Sequence, residues 1–360
     1  MTTVTIAGIP IGDDYPTRVC AEIGTNPGGN LDLAMALIRA AKEAGADMVK
    51  GQRRTPELAV PEAEWNEVRD TPWGKMPKLA YRHRAEFSDE QWAKLFDFAK
   101  SIGIALFTSV WDLPSLESME RLGSPCHKIP SARAHDSTLI IAAWQTGKPI
   151  ILSTGMSDWE DVCAVTESLV FQELDRLRAT LPERTVEGIF DAAWCREQGK
   201  LEKAIRVADA AIKRDFSVVG KAIDRWLEEH EVAWNVVSGR LVLLQCTSAY
   251  PPRADESNLR VIQTYKQSFG CPVGFSSHKI GIQTCLLAVA VGANVIERHI
   301  TLSRDAKGSD HRMSSEPEDL ARLVKEIRYA EACLGDGKKI VFPSEEAERK
   351  RLRGTPCTFL

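Results

Sequence analysis

Two short stretches, GFSSH at 274–278 and VIERHI at 295–300, each close a strand-like apolar run with a histidine, His278 and His299. A neutral imidazole presents one lone pair, which can bind a divalent ion or take a proton near neutral pH. A single histidine of this kind is ordinarily satisfied by a local hydrogen bond, so two unrelated histidines are one reading. Two at equivalent ends of successive strands are also the arrangement of a shared metal or substrate site. The pattern alone leaves both readings open.

The same sequence position is polar in every other strand-like run. RVCAEIG (18–24) carries Glu22, ADMVKG (46–51) carries Lys50 with Gln52 just beyond, and IALFTSV (104–110) carries Thr108 and Ser109. CHKIPS (126–131) carries Lys128 and Ser131, and PIILSTG (149–155) carries Ser153 and Thr154. LVLLQCTS (241–248) ends on Thr247 and Ser248, CPVGFSS (271–277) on Ser276 and Ser277, and ANVIERH (293–299) holds Glu297 before His299. Burying a lysine costs several kcal/mol unless its charge is met. Lys50 and Lys128, both ringed by hydroxyls, therefore point to an anion held at a common mouth. The alternative for each is a lysine that turns to solvent past its last strand hydrogen bond.

These residues need elements to position them. The runs number eight, and seven of the intervals between them carry a helical pattern, such as LDLAMALIRAAKEAG at 31–45. FSDEQWAKLFDFAKSIG (87–103) predicts a helix with Ser88 as N-cap and Gly103 as its stop, and EPEDLARLVKEIRYAEACLG (316–335) predicts the closing helix. Eight βα units with strands buried on both faces predict an α/β fold, a (β/α)8 TIM barrel, with catalytic groups at the C-terminal strand ends. A doubly wound sheet is the rival, and no GxGxxG turn follows a strand to support its dinucleotide-binding version. A short hairpin is expected at 3–11. Residues 52–86 form a long loop with Pro and Trp, and loops of that size are functional or disordered. The interval after strand 5 is far longer than one crossover helix needs, and its apolar spacing suggests three amphipathic helices. The expected organisation is thus a single barrel over 1–340, a helical subdomain inserted at 160–238 and a C-terminal tail at 341–360. The insertion is read as packing on the barrel wall, with a lid or an oligomer contact as alternatives. If strands 7 and 8 are neighbours, their ends lie roughly 5 Å apart. Two imidazoles there could share one divalent ion, with water and a carboxylate such as Glu22. Such a nitrogen and oxygen set suits manganese, iron, cobalt or zinc better than magnesium.

The chain of 360 residues is 44% hydrophobic and 27% charged, with a formal net charge of −4, which gives no global reason to expect nucleic acid or a membrane as partner. Any anion must be met locally. No apolar run reaches membrane-spanning length, and no basic region followed by an apolar core marks a secretory signal. Nine cysteines, odd in number and without a CxxC pair, predict reduced thiols and a cytoplasmic location.

The chain resembles the sialic acid synthase family, phosphoenolpyruvate-condensing enzymes that make N-acetylneuraminate and related nonulosonates. The stretches that carry the resemblance are AEIGTNPGGN (21–30), AGADMVKGQ (44–52), KIPSA (128–132), TGKPIILSTGM (146–156), LLQCTSAYPP (243–252), VGFSSHKIGI (273–282), GANVIERHITLSRDAKGSDH (292–311) and SSEPEDL (314–320). They cover the barrel in order, outside 157–240. The resemblance implies phosphoenolpyruvate contacts at Lys50, Ser109, Lys128, Ser131, Ser153, Ser248 and Ser276. It implies metal ligation at His278 and His299 with Mn2+ as the expected ion, water activation by Glu22, and substrate contacts at Gln52, Tyr250 and Asp310. The implied activity condenses phosphoenolpyruvate with an amino-sugar aldehyde to give a nonulosonic acid and phosphate. A metal-dependent lyase or aldolase acting on another aldehyde, and a non-catalytic binding barrel, are the alternatives. A homodimer is compatible with the resemblance.

Several positions depart from the family pattern. Pro27 stands where the family has histidine, Arg133 where it has an acid, and Ser277 where it has an aspartate. Either Arg133 and the insertion together redefine the acceptor side, or Arg133 points to solvent and the insertion packs on the outer wall. Family members commonly continue past the PSE motif (343–345 here) into an antifreeze-like domain, which is not expected in a chain ending at Leu360.

Overall fold

The computed structural model describes residues 2–179 and 230–353. Eight parallel strands close into a barrel in chain order: β1 Arg18–Glu22, β2 Met48–Arg53, β3 Ala105–Val110, β4 His127–Ile129, β5 Ile150–Ser153, β6 Leu241–Cys246, β7 Val273–Ser277 and β8 Val295–His299. β8 returns to pair with β1, with His299 beside Glu22, and Glu22 in turn beside Lys50. The helix after each strand lies on the outer wall: α1 Leu31–Glu43, α2 Asp89–Ser101, α3 Leu113–Arg121, α4 Ser137–Gln145, α5 Trp159–Ala179, α6 Val261–Phe269, α7 Gln283–Ala290 and α8 Pro317–Leu334. This is the expected (β/α)8 barrel.

The two-residue period of a strand sorts its side chains between two cores. Val19, Ala21, Val49, Leu106, Ile129, Leu152, Leu243, Phe275 and Ile296 face outward and join the helices' apolar stripes. Cys20, Met48, Phe107, Cys126, Ile151, Val242, Leu244 and Val295 face inward and fill the lower barrel. The expected hairpin, Val4–Ile6 paired with Ile9–Ile11, inserts Val4, Ile6 and Ile11 into that inner cluster and seals the bottom. Moving up each strand keeps the same parity. Above the apolar plug, the inward positions become Glu22, Lys50, Ser109, Lys128, Ser153, Cys246, Ser276, Glu297 and His299, all buried. The polar residues at the strand ends are therefore the upper layer of the barrel interior.

Local signals hold where the sequence is explicit. Ser88 caps α2 through a reciprocal capping box with Gln91, and Gly103 takes φ +70° just past the helix end. Gly51 faces outward, where a Cβ would come within 2.5 Å of the Trp92 ring, so α2 rests directly on the β2 backbone. The expected 52–86 loop is ordered: it holds a short helix at Pro56–Ala59, a hairpin of Val68–Thr71 with Gly74–Pro77, and a helix at Lys78–Ala85.

Of the expected 160–238 insertion, residues 180–229 lie outside the described residues. Its flanks are helical, α5 before and 230–238 after. Val162, Leu169, Val170, Leu174, Ala233 and Val237 from these flanks join the outer core. Glu173 anchors α5 to the wall, accepting from the Trp144 indole at 2.8 Å and pairing with Arg240 at 3.3 Å. After α8, the helix Pro343–Arg353 buries no side chain. Among the described residues, no cysteine is in a disulfide and no helix is long and apolar enough to cross a membrane.

Candidate active site

A cavity of about 490 Å³ opens at the C-terminal ends of the strands, within the roughly 300–1,000 Å³ typical of small-molecule sites. Its floor is a buried charge network. Lys50 Nζ lies 2.8 Å from Glu22 Oε2 and 3.3 Å from Glu297 Oε1, and donates to Ser109 Oγ at 3.0 Å. Gln52 Nε2 donates to Glu22 Oε1 at 2.7 Å, and Ser276 Oγ donates to Glu297 Oε1 at 2.9 Å. Lys128 reaches Glu297 at 3.9 Å. Neither lysine is left unmet, which is how the barrel accommodates two ammonium groups.

The two carboxylates answer differently to this shared environment. Burial raises Glu22, and although Lys50 opposes the shift, the carboxyl is pushed up to about 7. Burial works the same way on Glu297, but Lys128, Lys50 and the Ser276 hydroxyl together hold it down at about 2. One acid is locked as an anion and the other is poised near neutrality, the division that separates a structural charge from a general base. Burial lowers Lys128, while Lys50 is raised by its two carboxylate neighbours against the cost of its own burial.

On β4 to β7 the wall is made of hydroxyls. Ser131, Ser153, Ser248 and Ser276 line the cavity. The Gly155 N–H donates to Ser131 Oγ at 3.0 Å, and a Cβ at Gly155 would fall 2.5 Å from Ser248 Oγ and 2.8 Å from Ser131 Oγ. Glycine is what lets both hydroxyls close on that backbone. Ser153 Oγ is buried with no hydrogen-bond partner among the described residues, an open position for a ligand acceptor or donor.

The two histidines meet: their ring centroids are 5.4 Å apart. His278 Nδ1 donates to the Thr247 carbonyl at 3.1 Å, which fixes its tautomer and leaves Nε2 with the lone pair. Tyr250 packs its ring 4.3 Å from that of His278. Among the described residues His299 Nδ1 is buried without a hydrogen-bond partner, and it sits 3.8 Å from Asp310 Oδ2, which Thr25 Oγ1 holds at 2.9 Å. Burial lowers His278 to about 4 and His299 to about 3, so both rings are neutral at physiological pH. Two neutral imidazoles, one with an orphaned ring nitrogen, fit a divalent ion held on one side of an open shell. Among the described residues, no cluster of three His, Cys, Asp or Glu side chains forms a closed metal cage.

Every predicted site residue but two lines this cavity: Glu22 stands behind Lys50 and Gln52, and the Arg133 side chain lies aside. Arg133 pairs with Asp136 at 3.8 Å and reaches the Leu58 carbonyl, while its neighbours Ser131 and Ala132 line the cavity. Ser277 faces outward and meets Thr284 on α7, away from the cavity. Its carbonyl is instead collected, with those of Lys279 and Met313, by the buried Arg298 guanidinium. Reading by residue type passed over Glu297 as a site member, although its parity with His299 marks it as inward. It also passed over Arg54, Arg69, Arg82 and Trp111, which line the cavity from the loops after β2 and β3. Nothing local in the sequence aims those loops at the mouth.

Known proteins share this architecture. The sequence profile of the NeuB family matches residues 37–186 and 216–339. The chain is 31% identical over 345 residues to the N-acetylneuraminate-9-phosphate synthase of Mus musculus, spanning 95% of this chain and 78% of the mouse protein. It is 30% identical over 334 residues to the N,N'-diacetyllegionaminic acid synthase of Legionella pneumophila, spanning 92% and 76% of the two chains. Among solved structures, the N-acetylneuraminic acid (sialic acid) synthetase of Leptospira borgpetersenii, in complex with citrate, superposes with a TM-score of 0.71 at 27% identity, covering 98% of each chain.

Proposed function

Because the chain belongs to the NeuB family, we propose that its barrel mouth condenses phosphoenolpyruvate with the open-chain aldehyde of an amino sugar, releasing a nonulosonic acid and phosphate. The observation that carries this reading is Glu22, a buried carboxyl raised to about 7 beside two neutral imidazoles and a hydroxyl-lined, lysine-bearing wall.

In the proposed reaction, C3 of phosphoenolpyruvate forms the new carbon–carbon bond with the aldehyde carbon, whose oxygen takes up a proton. Water adds at C2, and the C2–O bond to phosphate breaks. Glu22 in its ionised form accepts the proton of the attacking water, and a pKa near the working pH suits a general base. Gln52 orients that carboxylate through its 2.7 Å hydrogen bond. Lys50 and Lys128, with Ser109, Ser131, Ser153, Ser248 and Ser276, hold the phosphate and carboxylate of the donor, supplying position and charge rather than a covalent bond. Tyr250 and Asp310 flank the histidines on the acceptor side. His278 and His299 would hold a divalent ion, for which Mn2+ is our assignment, and when bound it would act as a Lewis acid on the aldehyde oxygen.

The test is phosphate release from phosphoenolpyruvate, with mass analysis of the product, across a panel of hexosamines. The expected result is one phosphate per nine-carbon keto acid, lost after chelator dialysis and restored by Mn2+. Reversible formation of free pyruvate, or no phosphate release with any aldehyde, would refute the condensation.

A further inference from the structure

We propose that Arg54, Arg69 and Arg82, presented by the segment between β2 and α2, form the binding site for a phosphomonoester carried by the sugar acceptor. This deepens the condensation reading and rests on it.

The argument begins with a charge balance. On the barrel floor, Lys50 and Lys128 are met by Glu22 and Glu297, so that layer carries little surplus charge. The wall above β2 and β3 differs. Arg54, Arg69 and Arg82 all line the cavity, and among the described residues the one carboxylate within ion-pairing distance of the three is Glu86, 3.5 Å from Arg54 Nη1. Arg69 and Arg82 lie instead over the ring of Tyr81, at 4.6 and 5.5 Å from its centroid. Arg54 is buried, stacks 4.3 Å over Trp111, and among the described residues keeps its Nε without a hydrogen-bond partner. The Trp111 indole N–H, also buried and also lining the cavity, is likewise unpartnered among the described residues.

Three guanidiniums against one carboxylate leave an excess of about two positive charges on one side of a concave site. Burial, with the repulsion of Arg54 and Arg69, lowers Arg82. Guanidinium forks match phosphate oxygens geometrically, and aromatic stacking pre-orders them. A dianionic phosphomonoester balances the excess, whereas a carboxylate would supply half of it. The donor's anionic groups have their own partners in the hydroxyls of β4 to β7, which leaves this wall to the acceptor. Arg133, the cation that the sequence offered for the acceptor side, is already paired with Asp136.

The experiment compares an N-acetylhexosamine with its 6-phosphate in the wild type and in Arg69→Ala, Arg82→Ala and Arg82→Lys. Steady-state rates are paired with calorimetric binding in the absence of phosphoenolpyruvate. We expect the wild type to favour the phosphorylated sugar, and each Ala variant to lose about 10- to 100-fold in kcat/KM for it, through KM. The unphosphorylated sugar and the KM for phosphoenolpyruvate should change less than about twofold, and Arg82→Lys should recover part of the loss. A wild type that binds both sugars equally would overturn the proposal, as would a hexosamine carboxylate binding as tightly as the phosphate. A raised KM for phosphoenolpyruvate in the Ala variants would overturn it by assigning the wall to the donor. If the condensation reading itself fails, neither sugar releases phosphate from phosphoenolpyruvate, yet the calorimetric preference persists.

Discussion

Glu22 and Glu297 are the same residue type, both buried and both within reach of Lys50, yet one is raised to about 7 and the other held at about 2. What separates them is the second ammonium: Glu297 has Lys128 as well as Lys50, and a hydroxyl donor besides. The pH dependence of turnover follows. Base catalysis needs Glu22 ionised, so the rate should climb with pH up to a limb near 7 and then level off, the sign expected of a carboxyl whose pKa is raised. Glu22→Gln should reduce kcat by about 10²- to 10⁴-fold and abolish that limb, while phosphoenolpyruvate affinity changes little. An unchanged limb in the Gln variant would assign the ionisation to another group. At this scale the sequence was informative about which residues matter and silent about their charge states. A pKa depends on burial and on neighbours from other strands, which residue type does not disclose.

At the scale of the element, strand parity does the sorting. Thr108 and Ser109, or Ser276 and Ser277, are equivalent choices by composition. In the barrel Ser109 and Ser276 face the cavity, whereas Ser277 meets the wall helix α7. The position of β2 relative to α2 depends on Gly51, whose missing Cβ leaves room for Trp92. Gly51→Ala should therefore destabilise the fold by about 1–3 kcal/mol through overpacking. It should also weaken phosphoenolpyruvate binding, since Lys50 and Gln52 flank the displaced residue. Denaturant midpoints and calorimetry on the same variant would check both, and an unshifted midpoint would show that Trp92 moves aside freely. Helix ends were legible in the same region, because the Ser88–Gln91 box and Gly103 act within a few residues. The path of residues 54–86 was not, since a loop's direction is set by what it packs on.

For the whole molecule, the barrel interior divides into an apolar lower plug and a polar upper layer, and the hairpin at the N-terminus closes the plug. Ile6 is fully buried there, so Ile6→Ala should cost about 2–5 kcal/mol. KM values should stay close to those of the wild type, because the bottom of the barrel is remote from the mouth. A variant that loses substrate affinity in proportion to stability would mean that the two layers are coupled.

The sequence by itself determined the alternation of strands and helices, the polar character of each strand end and the pairing of His278 with His299 on neighbouring strands. These are signals of period and chain order, and both survive in a linear reading. Closure of the barrel decided the rest. It set Lys50 between Glu22 and Glu297, turned Ser277 outward, left Arg133 beside Asp136, and brought Arg54, Arg69 and Arg82 to the cavity. Charge neutralisation acts across a few ångströms between residues tens to hundreds of positions apart. Only the folded chain fixes those distances.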